Sequence, residues 1–292
     1  MNNHLKGIIL VLSSTAMWGL VGVLVQFLTK TCHFRPEWLV NTRLIISGII
    51  LLTVTHFFYE KNIFKILKGN VKALLILGIV GLMGSQYGFY LAVTYSNAPT
   101  GTILVFLLPV FTVLYTLIVK HKRPSGIELL AIIFAIIGTT LIVTKGDLGQ
   151  LQLSPIALLA GISSAICCVV YTIQPRKLLS TYPATNVIGW SMLFGGISLS
   201  FFNDIQNVGE VNFYSVSSIA IMIIFGTVLA FCFYLKSLSY ISPTEASILT
   251  VGEPLASIFF SLILLDMSFS FVEMIGTVFI LSTVFILARA KA

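Results

Sequence analysis

Long apolar segments constrain the fold of this chain more than any other feature. Ten of them follow one another, and polar residues, Pro or Gly separate each from the next. About 20 apolar residues suffice for a helix to cross the hydrocarbon core of a bilayer. Charged residues make up only 9% of the chain, against about 25% in soluble domains. We therefore predict an all-α integral membrane protein with ten transmembrane helices, called spans 1 to 10, over residues 7–28, 37–58, 71–94, 100–119, 126–144, 155–174, 184–202, 215–238, 244–265 and 270–288.

The Lys and Arg residues predict how these spans are oriented. If the chain starts inside and crosses ten times, the outside set holds only Lys30, Arg35, Arg43 and Lys145 of the 17 Lys and Arg. Cytoplasmic loops of membrane proteins carry an excess of Lys and Arg. We therefore expect a multi-pass protein of the cell membrane with both termini in the cytoplasm. The net charge of +7 is spread over short loops, which argues against nucleic acid as a partner.

Two dipeptides recur at the same distance along the chain. Phe89-Tyr90 and Pro99-Thr100 are matched by Phe233-Tyr234 and Pro243-Thr244, each 144 residues later. The repeated unit contains five crossings, so its two copies must have opposite orientations in the membrane. Inverted repeats of this kind are common in secondary transporters, with the substrate site near the bilayer midplane between them. We predict two five-helix repeats, over residues 1–146 and 147–292.

Span 9 contains the residue that is most costly to place in a membrane. Thr250, Glu253, Ser257 and Ser261 lie three or four positions apart and form one polar stripe. A carboxylate at this depth costs a few kcal/mol or more, so it normally faces protein or a watery cavity. Glu253 could bind a cation or a zwitterion, and a proton is a further candidate partner. It could equally be a structural residue that hydrogen-bonds neighbouring helices.

Prolines predict flexible points in spans 4 and 9. Pro254 follows Glu253, and Pro109 occupies the corresponding place in span 4. Proline removes a backbone hydrogen bond and can bend a helix. We expect the two spans to face each other across a pathway, with Pro109 and Pro254 as hinges or gates; passive kinks are the alternative. Glu245, one turn into span 9, is a third gate candidate, or simply an acid favoured at a helix N-terminus.

Polar and aromatic residues in the other spans are candidates for the wall of a cavity. They recur at helical spacing, and Trp18 lies too deep in span 1 to belong to an interfacial aromatic belt. Aromatic walls suit amino acids, aromatic metabolites and organic cations through stacking and cation–π contact. Packing between helices is the alternative for each residue. With Glu253, the predicted substrate-binding set is Trp18, Gln86, Tyr90, Tyr171, Gln174 and Tyr234.

Charge in the predicted pathway is expected to be one-sided. Glu253 precedes Pro254, whereas Leu108 precedes Pro109. Arg43 lies about two turns inside span 2, where an Arg could bind an anionic group, extend to the interface or tie helices together. We favour the structural alternatives for Arg43, so that Glu253 makes cations and zwitterions better candidates than anions.

Several short motifs, in order and spacing, resemble one family over nearly the whole chain. They are Trp18-Gly19, Arg43-Leu44, Pro109-Val110-Phe111 and Glu253-Pro254. The chain is similar to the EamA-type ten-helix members of the drug/metabolite transporter (DMT) superfamily. That resemblance implies a basket of helices around a central cavity, peripheral spans 5 and 10, and alternating access for small metabolites, often in the export direction. The family usually has Gly-Glu before spans 5 and 10, where this chain has Lys122 and Asp266.

A secondary transporter is the function that these features favour. We expect it to move a small metabolite that is amino acid-like, zwitterionic or cationic, and suited to aromatic walls; the family resemblance implies export. The alternatives are a non-transporting membrane sensor or scaffold, or uptake of a quaternary amine or nucleoside-like solute. We expect a monomer or weak dimer whose partners are the substrate and the lipid bilayer.

No enzymatic function is expected from the sequence. It has no Gly-x-x-x-x-Gly-Lys-[Ser/Thr] loop for ATP and no His-Glu-x-x-His motif for a catalytic metal. Its four Cys and four His show no metal-ligand spacing. We therefore predict no cofactor, no metal and no catalytic residues.

Overall fold

The computed structural model describes residues 3–121, 123–145, 147, 152–202, 208–241 and 243–289. Lys122 and Lys291, two of the Lys and Arg residues that the predicted orientation places inside, lie outside these residues. All regular structure in the described ranges is helical. Eight of the helical stretches are long and apolar enough to cross a membrane, which confirms a multi-pass helical membrane protein: Asn3–Lys30, Pro36–Phe58, Ile63–Tyr95, Ala98–Val119, Gly126–Thr144, Pro155–Ile173, Phe213–Tyr234 and Phe271–Ala288.

Six predicted spans correspond to uninterrupted helices. Their ends fall within a few residues of the predicted ones, because Pro, Ser or Asn residues mark most starts. The helix of span 7 has 17 residues and is shorter than those that qualify as spans by length. These helices are α1 (Asn3–Lys30), α2 (Pro36–Phe58), α7 (Gly126–Thr144), α8 (Pro155–Ile173), α10 (Ala184–Ser200) and α15 (Phe271–Arg289).

Spans 3 and 8 each contain a π-helical segment between two α-helical parts. In span 3 the segment Ile76–Met83 joins α3 (Leu67–Leu75) to α4 (Gly84–Tyr95). In span 8 the segment Ile224–Leu229 joins α11 (Phe213–Ile223) to α12 (Ala230–Ser237). Such segments change which residues face a neighbour and frequently occur at functional sites. Two short elements, Ile63–Ile66 and α9 (Arg176–Leu179), belong to the connections after spans 2 and 6.

Spans 4 and 9 are each broken into two helices. Span 4 consists of α5 (Ala98–Val105) and α6 (Leu108–Lys120), and span 9 of α13 (Pro243–Leu249) and α14 (Gly252–Leu264). The breaks fall at residues 106–107 and 250–251, which are 144 residues apart. A proline follows each break and lacks the N–H that would continue the helix. Because span 9 is broken and span 7 is short, the count of ten crossings stays a prediction.

The ends of these broken spans also resemble each other. His121 after α6 and Asp266 after α14 both adopt left-handed backbone conformations, with φ of 53° and 48°. A Ser–Glu capping box follows each, in which the Ser hydroxyl accepts from the Glu backbone N–H and the Glu side chain accepts from the Ser N–H. The first box joins Ser125 and Glu128, and the second joins Ser270 and Glu273.

Helices α7 and α15 form a close pair. A Cβ atom added to Gly138 of α7 would lie 2.7 Å from the carbonyl oxygen of Gly276 on α15, so both positions need glycine for this approach. At one end of the pair, Lys145 Nζ lies 3.2 Å from Glu273 Oε1, and the Glu273 side chain is buried. Small residues let membrane helices pack closely where no hydrophobic effect drives them together.

Candidate functional site

A cavity of 190 Å³ lies among helices of both predicted halves. It receives residues from spans 1, 2, 3 and 4 and from spans 6, 8 and 9. Four of the predicted substrate-binding residues, Trp18, Gln86, Tyr171 and Glu253, contribute to its wall. Among the residues that the structure describes, the lining consists of Trp18, Val21, Arg43, Leu82, Ser85, Gln86, Phe89, Val105, Ser164, Cys168, Tyr171, Phe231 and Glu253.

Glu253 reaches the cavity from the first turn of α14. Helix α1 touches α14 at this point: a Cβ atom on Gly19 would lie 2.7 Å from the Glu253 carbonyl oxygen. This contact brings Trp18, the neighbour of Gly19, to the same side of the cavity as Glu253. Within the described ranges, the Glu253 carboxylate has no hydrogen-bond or ion-pair partner. It is therefore available to a ligand or to water.

The rest of the polar stripe on span 9 also points inward. Ser257 and Ser261 are 0% and 1% exposed, whereas Leu255 and Phe259 on the opposite face are exposed. The Thr102 hydroxyl of α5 donates to the Ser257 hydroxyl over 3.4 Å. Spans 4 and 9 therefore meet beside the cavity.

Arg43 is the second charged residue of the cavity wall. Its guanidinium donates to Thr227 Oγ1 over 2.8 Å, to Gln86 Oε1 over 2.8 Å, to Tyr90 Oη over 3.0 Å and to the Gly226 carbonyl over 3.3 Å. The side chain is 5% exposed, so it does not extend to the interface. It ties spans 2, 3 and 8 together, and it meets span 8 at the π-helical segment that contains Gly226 and Thr227.

Arg43 and Glu253 face the same space without pairing with each other. No ion pair within 4.0 Å joins these two described residues. Four of the five guanidinium N–H groups of Arg43 have protein acceptors, which leaves one without. Charges removed from water are costly unless they are compensated. The cavity therefore offers a donor with positive charge and an acceptor with negative charge to whatever occupies it.

An aromatic cluster forms one wall of the cavity. The Trp18 ring centroid lies 5.7 Å from that of Phe231 and 5.5 Å from that of Tyr234. Trp18 and Phe231 line the cavity, whereas Tyr234 packs behind Trp18. Tyr234 also packs against the buried Val11, Ile241 and Ala246, which fill the space between spans 1, 8 and 9.

Three predicted residues do not line the cavity: Tyr234, which packs behind Trp18, and also Tyr90 and Gln174. Tyr90 is fully buried, accepts the hydrogen bond from Arg43 and donates to Met222 Sδ over 3.0 Å. It therefore supports Arg43 from behind. Gln174 donates from Nε2 to the Ala73 carbonyl over 2.9 Å and lies in a separate groove between α6 and α8.

The gate candidates lie beside the breaks or at a helix end. Pro109 is the second residue of α6, and Pro254 is buried in the first turn of α14. Each therefore follows the break in its span, which is the place where a hinge can bend. Glu245 Oε1 lies 2.8 Å from His4 Nε2, so this acid joins span 9 to the start of span 1.

Sequence reasoning missed several residues of the wall. Ser85, Phe89 and Cys168 are among them. Ser164, which shares one side of span 6 with Tyr171, also lines the cavity, and its hydroxyl donates to the Ser85 carbonyl over 2.7 Å. The spacing of Ser85, Gln86 and Phe89 around α4 is a signal that was present in the sequence. Nothing in the sequence marks Val105 or Val21, because an apolar side chain in a membrane helix can face either lipid or the protein interior.

At the end of the bundle near Ser96, side chains of span 1 bond to neighbouring spans. Gln26 Oε1 accepts from the Ala98 backbone N–H over 2.7 Å, and its Nε2 donates to Met267 Sδ over 3.2 Å. Beside it, Lys30 Nζ donates to the Ser96 carbonyl. These bonds join span 1 to the starts of spans 4 and 10.

Comparisons with known proteins find full-length relatives. The chain is 37% identical over 300 residues, covering 100% of both chains, to a Salmonella typhimurium protein named uncharacterized inner membrane transporter YicL. It is 22% identical to the Bacillus subtilis uncharacterized transporter YyaM, over 74% of this chain and 72% of that one. A crystal structure with 15% identity shares the fold, with a TM-score of 0.62 over 98% of both chains.

The family model that matches is that of the EamA-like transporters. It matches residues 5–144 and again residues 155–289. Together the two ranges include all seven spans that line the cavity. The chain belongs to the EamA-like transporter family, within the drug/metabolite transporter superfamily, and is a multi-pass membrane transporter.

Proposed function

We propose that this transporter carries a small zwitterionic metabolite of the amino acid type. The observation that carries the proposal is the cavity in which Arg43 and the unpartnered Glu253 face one space. A carboxylate of the substrate would accept from the free N–H of Arg43, and its ammonium group would donate to Glu253. Charge-assisted hydrogen bonds of this kind are about twice as strong as neutral ones.

The size and wall of the cavity support the same substrate class. Its 190 Å³ is below the roughly 300–1,000 Å³ typical of drug-sized ligand sites. Trp18, Phe231 and Tyr171 present aromatic surface to an apolar or cationic part of the substrate. A free amino acid or a similarly small zwitterion fits these limits better than a nucleoside.

The mechanism that we propose is alternating access between two inverted five-helix halves, residues 1–146 and 147–292. Support comes from the breaks and left-handed residues that recur 144 to 145 residues apart, and from the double match of the family model. Ten crossings with both termini in the cytoplasm follow from the distribution of Lys and Arg. Pro109 and Pro254 would act as hinges, and the bonds of Gln26 and Lys30 would close the outer end in this conformation.

We infer the direction, export, from the family resemblance, and we propose that the transport is secondary. The energy would come from the substrate gradient or from a proton carried by Glu253. Counterflow in proteoliposomes tests the proton part with Glu253→Gln at several pH values. If the residual transport of the variant keeps the pH dependence of the wild type, Glu253 does not carry the proton.

A ligand screen tests the substrate class directly. Purified protein would be heated with amino acids, polyamines, quaternary amines or nucleosides, since a ligand stabilises the state that it binds. We expect amino acids to raise the melting temperature and N-acetyl or methyl ester derivatives, which lack one charge, to do so much less. Equal stabilisation by polyamines would favour a cation over a zwitterion.

Transport by alanine variants tests the residues behind the cavity wall. Full transport by both Tyr90→Ala and Tyr234→Ala would contradict the proposed support of Arg43 by Tyr90 and of the aromatic wall by Tyr234.

A further inference from the structure

A second, larger concavity lies between the second helix of span 4 and span 6. It is a groove of 580 Å³ between α6 and α8. Apart from the Gln174 amide and the Tyr115 hydroxyl, its lining is apolar. The lining residues are Phe111, Leu114, Tyr115, Ile118, Val119, Ile166, Val169, Val170, Ile173 and Gln174.

The groove faces away from the substrate cavity. On α8, the cavity is lined by Ser164, Cys168 and Tyr171, whereas the groove takes Ile166 and Ile173 from the other side of the helix. At the rim of the groove, Ile118 is 69% exposed and Ile166 is 47% exposed. Exposed apolar side chains on a membrane-spanning helix contact lipid tails. The groove therefore opens to the bilayer.

Basic residues follow both helices at one end of this groove. Arg176 and Lys177 come directly after Gln174 and Pro175, and Arg123 comes shortly after α6. All three are exposed, and none forms an ion pair with another described residue. Most basic side chains at helix ends are merely solvated. Here, however, three cations without an ion pair among the described residues follow the two helices that form an apolar groove, Arg176 and Lys177 within three residues of Gln174 in its lining.

We propose that this groove is a binding site for an anionic phospholipid. One acyl chain would lie between α6 and α8, and the phosphate would contact Arg176, Lys177 and Arg123. Basic pockets between membrane helices on the cytoplasmic side are suited to acidic head groups, and each Lys or Arg near the surface contributes about equally to the attraction. The volume and the apolar lining of the groove account for retention of the tail, and the cations account for selection of the head group.

Native mass spectrometry of the full-length protein tests the proposal. The protein would be titrated with phosphatidylglycerol or phosphatidylcholine of identical acyl chains. We expect phosphatidylglycerol to bind more tightly, and Arg176→Gln with Lys177→Gln to reduce that preference roughly 30-fold. The control pair, Lys68→Gln with Lys72→Gln, removes two exposed cations next to span 3 and should leave the preference unchanged. Equal loss in the two pairs would overturn the site.

A filled groove tests the place of the acyl chain independently of charge. Val170→Trp puts a large ring into the groove, and Leu159→Trp puts the same ring on an exposed position of α8 outside it. We expect Val170→Trp alone to weaken binding of both lipids, with unchanged melting temperature in detergent. Unchanged binding in Val170→Trp would overturn the proposal. Loss of a dimer mass without loss of lipid would instead assign the groove to a second copy and would also overturn it.

Discussion

The two broken spans share a backbone design and differ in chemistry. Spans 4 and 9 break 144 residues apart, and a proline follows each break. The residue before the proline is Leu108 in span 4 and Glu253 in span 9. Of these two residues, only Glu253 lines the cavity; span 4 contributes Val105 instead. The backbone feature is therefore repeated, while the charged group belongs to one copy alone.

The first half supplies its charge from a different helix. Arg43 of span 2 lines the cavity and donates to Gln86 and Tyr90 of span 3. The pathway is thus not one-sided in the sense expected from the sequence, because a positive group faces the acid. Spans 2 and 9 therefore present opposite charges to the cavity, which is a suitable arrangement for orienting a zwitterion.

Removing the Glu253 carboxylate should reduce transport more than any of the other substitutions proposed below. We expect Glu253→Gln to reduce counterflow roughly 100-fold, since a hydrogen bond to a charged group is worth about 1.5–3 kcal/mol. Its melting temperature should not fall, because the carboxylate has no partner among the described residues. Glu210→Gln, at an exposed loop acid, is the control and should transport normally. Transport near the wild-type level in Glu253→Gln would reduce this residue to a structural role.

Arg43→Lys should have the next largest effect. It keeps the positive charge but loses the planar fork that holds Gln86, Tyr90 and Thr227. We expect roughly tenfold weaker transport, together with a lower melting temperature, because buried acceptors lose their donors at about 1–3 kcal/mol each. Lys72→Arg, at an exposed cation that has no place in either proposed site, should change neither quantity. A variant that transports normally would show that charge alone is required on this side.

Replacing the two candidate hinge prolines should slow transport less, and by unequal amounts. Pro109→Ala and Pro254→Ala each allow the backbone hydrogen bond that proline prevents. We expect a few-fold slower exchange with little change in half-saturating substrate concentration. The loss should be larger for Pro254, because its neighbour Glu253 moves with the break. Equal rates for both variants and the wild type would make the two breaks passive kinks. Pro155→Ala, at the start of α8, serves as the matched control.

Local patterns in the sequence were sufficient to predict the apolar segments, the special positions of Pro109 and Pro254, and the inward position of Glu253. Each of these features is visible within about one helical span, because a membrane allows few backbone structures. That Arg43 ties helices together was among the favoured alternatives, but its place in the cavity wall and its partners in span 8 were not predictable in this way, because they depend on a π-helical segment far along the chain. Gln174 illustrates the same limit: its spacing on span 6 fits the cavity, but its amide bonds to the Ala73 carbonyl instead.

Both capping boxes are visible in the sequence as Ser-x-x-Glu. They allow the starts of spans 5 and 10 to be compared with each other. Ser125→Ala and Ser270→Ala each remove the hydroxyl that caps a helix, at a cost of about 1 kcal/mol. We expect Ser270→Ala to lower the melting temperature more. Its box positions Glu273, which is 3% exposed and pairs with Lys145, whereas Ser125 lies at an exposed end. Thermal unfolding in detergent measures both variants. A larger loss for Ser125→Ala would mean that the pair of Lys145 and Glu273 does not depend on the cap.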